Sequence, residues 1–126
     1  AGSHYRAVGM PPIKCVMGNG WGAGAFSVLQ SISRHRGKKG LEDLRKARHF
    51  VDLRNALLEH ALPPLDRIPM QDYVRANGIY ELDHSALLHL EWWVQTGDDT
   101  QRQHLCECLD LLIAEYEEKD QPSLDL

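Results

Sequence analysis

The chain has 126 residues, 43% apolar and 25% charged, with a net charge of −4. That composition fits one globular domain and excludes wholesale disorder or a fibrous repeat. No apolar run approaches the ~18 residues of a membrane span, and no charged stretch followed by an apolar one marks a signal peptide. The charge is unevenly spread: residues 1–80 carry 12 Lys/Arg against 6 Asp/Glu, and residues 81–126 carry 2 against 12.

Residues 1–24 show little periodicity. Pro11-Pro12 stiffens them, and Gly18, Gly20, Gly22 and Gly24 alternate around Trp21. This reads as a flexible connector, with a phosphate cradle as the alternative. Phe26, Leu29 and Ile32, spaced three apart with Val28 beside them, predict a helix over residues 25–36. A basic turn follows, from Gly37 to Gly40.

The clearest helix is predicted over residues 41–62. Leu44, Ala47, Phe50, Val51, Leu53, Leu57, Leu58 and Ala61 form its apolar stripe, and Glu42 and Asp43 suit the positive end of its dipole. Pro63-Pro64 is expected to stop it. A short connector helix is expected from Met70 to Asn77, closed by Gly78. Asp83 or Ser85 is expected to cap a third long helix reaching Thr96, and Thr100 a fourth, over residues 101–119. The tail beyond Asp120 is expected to fray.

No strand-like alternation holds for five residues anywhere. The fold class is therefore all-α: two helical hairpins, four main helices plus a short connector helix, in one domain. Residues 1–62 form its basic half and 63–126 its acidic half. Leu105, Leu109, Leu112, Ile113 and Tyr116 are expected to line the core face of the fourth helix, and Ala86, Leu87, Leu90, Trp93 and Val94 that of the third. The third also carries a second apolar stripe, Leu88 and Trp92, expected to pack on another subunit of a homo-oligomer. The alternative is burial on two sides within the monomer.

Three cysteines, Cys15, Cys106 and Cys108, make no disulfide framework and point to a reducing compartment. His104-x-Cys106-x-Cys108 lacks the ligand pairs of a metal site. Glu107, Asp110, Glu115 and Glu118 repeat at the spacing of helical magnesium-dependent pyrophosphatases, but a solvated acidic face accounts for them. No metal site is assigned. No serine or cysteine stands in a spacing that specifies a catalytic triad.

The segment Arg34-His35-Arg36-Gly37-Lys38-Lys39-Gly40 leads into a helix N-terminus, where free N–H groups and the dipole favour a phosphate. It is not a Walker loop. The acidic second half argues against extended nucleic acid, whereas a nucleotide needs only a few cations.

His4-Tyr5, then Ser27 to Gly40, then Glu42-Asp43-Leu44-Arg45-Lys46-Ala47 resembles a family of small bacteriophage proteins. Their pattern runs H-Y, N-x-x-K-Y-x-x-R-H-x-x-K-x-G, E-D-L-x-K-A, over about residues 4–58 here. The family is mostly of unknown function but includes a Walker-less nucleoside monophosphate kinase acting on dTMP and dGMP. His4, Tyr5, Arg34, His35, Lys38, Gly40, Glu42, Asp43 and Lys46 match. Ser27, Gln30 and Ser31 replace the pattern's Asn, Lys and Tyr. The stretch His84 to Glu117 is fainter in its likeness to the C-terminal hairpin of phage dATP/dGTP diphosphohydrolases.

The resemblance implies a nucleotide-binding protein of the bacterial host cytoplasm. Arg34, His35, Lys38 and Lys39 would contact phosphate, Asp43 and Lys46 would orient the site, His4 would lie beside it, and Tyr5 or Trp21 would stack on a base. Mg2+ with ATP would be needed only by a kinase. Gln30 cannot supply the charge of the pattern's Lys, which opens a second reading: a non-catalytic binder that sequesters a nucleotide signal of host defence. A third is an adaptor that binds a host protein through Leu88 and Trp92.

Overall fold

The computed structural model describes residues 9–37 and 39–120. They form six helices and, among the described residues, no strand: α1 Pro12–Asn19, α2 Ala23–Arg34, α3 Gly40–Leu57, α4 Met70–Asn77, α5 Glu81–Thr96 and α6 Asp99–Asp120. No described helix is long and apolar enough to cross a membrane.

Helices α2 and α3 make one hairpin and α5 and α6 the other. The hairpins pack α3 on α6 and α2 on α5, while α1 lies on α2 and α4 on α5. Val28, Leu29, Ile32, Leu44, Val51, Leu87, Leu90, Leu105 and Leu109 are buried where the four long helices meet. These residues lie on the inward faces set by the 3.6-residue period. The stripe predicted for α3 holds only in part: its later members Leu57 and Leu58 are 70% and 71% exposed, because the helix ends there.

α4 and its Gly78 stop stand where the sequence places them, with Gly78 left-handed at φ 61°. Three local expectations give way. Residues 12–19 are helical, because Pro12 is compatible with a first turn, where a missing N–H costs nothing. Asp98, not Thr100, caps α6: its carboxylate accepts the Thr100 N–H at 2.9 Å. α3 ends at Leu57, before Pro63-Pro64, with Leu58 in the left-handed region at φ 56°.

The early stop of α3 has a tertiary cause. Glu59 turns back and accepts the Gly24 and Ala25 N–H groups at 2.8 and 3.1 Å, and the Arg54 Nε at 3.0 Å. These N–H groups belong to the first turn of α2, which has no side-chain cap of its own. A Cβ at Gly22 would sit 2.6 Å from Glu59 Cδ, so any side chain there would push the carboxylate away from the N–H groups it accepts. Upstream, Gly20 and Gly18 carbonyls accept N–H groups of Leu62, Leu65 and Asp66 at 2.8–3.1 Å. The alternating glycines are a packing strip for residues 59–66. The α2 N-terminus already holds an anion, the chain's own carboxylate, so the cradle alternative is overturned.

Candidate functional site

Three consecutive basic residues at the end of α2 point three ways. Arg34 turns toward α3, where its Nε donates to Asp43 Oδ1 at 3.0 Å. Arg36 turns toward α5 and grips Asp83 with two bonds, Nε to Oδ2 at 2.9 Å and Nη2 to Oδ1 at 3.0 Å. His35, between them, enters the core.

The expected phosphate contact of His35 is therefore corrected. Its side chain is 0% exposed. Nε2 lies 2.8 Å from Asp83 Oδ2 and Nδ1 lies 2.9 Å from the Tyr116 hydroxyl. Both ring nitrogens are engaged, and the ring ties α2 to α5 and α6. Gly40 belongs to the same junction. It has φ 35°, and a Cβ there would lie 2.8 Å from the Tyr116 ring.

Neither Asp83 nor Ser85, the two expected caps, caps α5, which begins before both of them with Tyr80 at the N-cap position. The buried Asp83 carboxylate is instead the centre of this junction. Burial alone raises its pKa, but the hydrogen bonds and charges of His35 and Arg36 outweigh that and hold it below the ordinary 3.8. Two further ion pairs cross between the hairpins, Arg48–Asp110 at 3.4 Å and Arg45–Glu117 at 3.7 Å. They are largely exposed and worth little each. Part of the basic character of the first half is thus neutralised by the second.

The remaining predicted residues gather. Arg34, Lys39, Glu42, Asp43 and Lys46 line one groove of about 370 Å3 beside the α2–α3 turn. Lys39 is a loose 3.9 Å from Glu42, and Lys46 has no ion pair among the described residues. Asp43 is 2% exposed, and its Oδ2 has no hydrogen-bond partner among the described residues. A buried carboxylate oxygen in that state calls for an explanation. The helix end contributes less than expected, because the Gly40 and Glu42 N–H groups are spent on His35 and Lys39 carbonyls at 3.1 and 2.8 Å. Attraction for an anion in the groove comes from side chains.

His4, Tyr5 and Lys38 lie outside the described residues. Trp21 is 6% exposed and borders a different pocket beside Pro63 and Pro64, so it does not serve the groove as a stacking face. Leu88, expected at an interface, is partly buried against the monomer's own core, whereas Trp92 is 54% exposed.

Burial pushes the Cys15 thiol up to about 11, despite a hydrogen bond from Asn19, and raises Cys106 and Cys108 as well. These are poor nucleophiles near neutrality. No three His, Cys, Asp or Glu side chains among the described residues cluster as a metal site. The sequence reading missed the Arg36–Asp83–His35–Tyr116 junction. The one available signal was the opposite charge of the two halves.

Comparison with protein-family models, curated proteins and solved structures finds no match.

Proposed function

We propose that the protein binds a small phosphorylated ligand, a nucleotide of the class its phage-family resemblance implies, in the groove of Arg34, Lys39, Asp43 and Lys46. The observation that carries the reading is the convergence of these four residues on one groove, from α2, the turn and α3. Lys39 and Lys46 are the side chains open to a phosphate. Arg34, held through Nε by Asp43, keeps its terminal nitrogens for the same task. The unsatisfied Asp43 oxygen suits a donor on the ligand. As an oxygen ligand it also suits Mg2+ held jointly with phosphates.

The resemblance points to a nucleoside monophosphate kinase. Gln30 in place of the pattern's Lys favours the non-catalytic reading, in which the nucleotide, a host defence signal, is sequestered intact. The test is calorimetric titration with mono-, di- and cyclic nucleotides, followed by incubation of each bound ligand with ATP and Mg2+. Intact recovery is expected. Phosphorylated product would establish the kinase, and no binding across the panel would refute the proposal.

Self-association is part of the reading, because Trp92 leaves a large aromatic surface on α5. Light scattering should give a multiple of the 14.3 kDa chain mass, reduced to the monomer by Trp92→Glu. A monomeric parent chain contradicts it.

A further inference from the structure

Two histidines meet across the α5–α6 hairpin. His89 of α5 and His104 of α6 stand with ring centroids 5.1 Å apart and planes inclined at 37°. Neither lines the groove nor joins the Asp83 junction. Each ring is held through Nδ1. Gln101, itself buried, sets Oε1 2.7 Å from His89 Nδ1. Glu107, one turn along α6, sets Oε2 3.5 Å from His104 Nδ1. An amide oxygen and a carboxylate can only accept, so each Nδ1 carries the proton and each Nε2 of the neutral rings keeps its lone pair. Neither Nε2 makes a hydrogen bond among the described residues, and that of His89 is not sealed from solvent.

A metal-bound histidine is held in this way, with an oxygen on one ring nitrogen and the lone pair of the other free. The ring spacing agrees: two imidazoles on one tetrahedral zinc, with Zn–N of ~2.1 Å, have centroids ~5 Å apart. The excess of carboxylates over Lys and Arg in residues 81–126 adds a field that favours a divalent cation. No third His, Cys, Asp or Glu among the described residues completes the set. One chain therefore supplies half of a tetrahedral shell. Trp92, 54% exposed, follows His89 by one turn on the same face of α5. A two-fold contact centred on that face sets the same patch of each copy against the other, and so brings two histidine pairs together.

We propose that His89 and His104 are half of a Zn2+ site, completed by the same two residues of a second copy of the chain. The proposal rests on the self-association read from Trp92. Four imidazoles close a tetrahedral shell, as in a structural zinc site. Imidazole also sets the selectivity, because Mg2+ and Ca2+ take oxygen ligands.

The probe is zinc chloride, titrated into the untagged full chain by calorimetry, with the mass followed by light scattering. One Zn2+ per two chains is expected, at twice the 14.3 kDa chain mass. His89→Ala and His104→Ala should each weaken zinc binding by at least about tenfold, the scale of losing even an outer partner of a metal ligand. Neither ring belongs to the core cluster, so helical circular dichroism should be unchanged. His49→Ala, exposed on α3, should bind zinc as the parent chain does. Magnesium chloride should not substitute for zinc. Equal zinc binding by the parent and the His89→Ala, His104→Ala double variant overturns the proposal, as does one Zn2+ per monomer or no saturable binding. Measurement in EDTA judges the Trp92 reading separately. A dimer there, whose histidine variants bind zinc as the parent does, keeps the association and loses the zinc site. A chain that is monomeric in EDTA and dimeric with zinc keeps the zinc site and loses metal-free association.

Discussion

Replacing Asp83 by alanine is expected to lower the unfolding free energy by about 3 kcal/mol, the scale of breaking a buried ion pair. The variant leaves His35 Nε2 without its partner in a fully covered side chain and frees both bonded nitrogens of Arg36. The low end of the 3–5 kcal/mol range applies because Arg36 is half-exposed and water can take over part of its hydration. Asp83→Asn keeps an acceptor but loses the charge, so its cost should be intermediate. Urea unfolding measures both. A loss below about 1 kcal/mol for the alanine variant would mean that the junction does not hold the hairpins together.

The same carboxylate sets an acid limit. Its folded pKa lies below 3.8. The stabilisation is therefore complete above the unfolded value and is lost as pH falls through the folded one. Parent stability should drop more steeply below about pH 4 than that of Asp83→Asn, which cannot titrate there.

The second large effect concerns the groove. Lys39→Ala combined with Lys46→Ala should weaken nucleotide binding about 100-fold, as two charge-assisted contacts of ~1.5 kcal/mol each would together supply. Neither lysine is part of the buried junction, and Lys39 has only the 3.9 Å approach to Glu42, so stability should be retained. The affinity of the parent chain should also fall with added salt, because the attraction comes from exposed cations. An unchanged affinity would place the ligand elsewhere.

What local pattern could reveal was the helices. The bounds of α4 and the inward stripes of α2, α3, α5 and α6 follow from apolar spacing and from Gly78. What it could not reveal was governed by distant partners. Glu59 reaches 35 residues back to cap α2, and the demand on that side chain accompanies the stop of α3. His35 looked like a surface cation because its neighbours are basic. Its burial depends on Asp83 and Tyr116, which are 48 and 81 residues away. Leu88 reads as surplus on a single helix, and its packing partners come from the assembled core.

The groove was legible for a different reason. Arg34, Lys39, Asp43 and Lys46 are close in sequence and are separated by one tight turn, so a local reading already brings them together. The central claim, that this turn binds a nucleotide, is tested most directly by following backbone amide shifts during titration with a nucleoside monophosphate. Saturating shifts centred on residues 34–46 are predicted. Shifts centred elsewhere, or none at millimolar ligand, would contradict it.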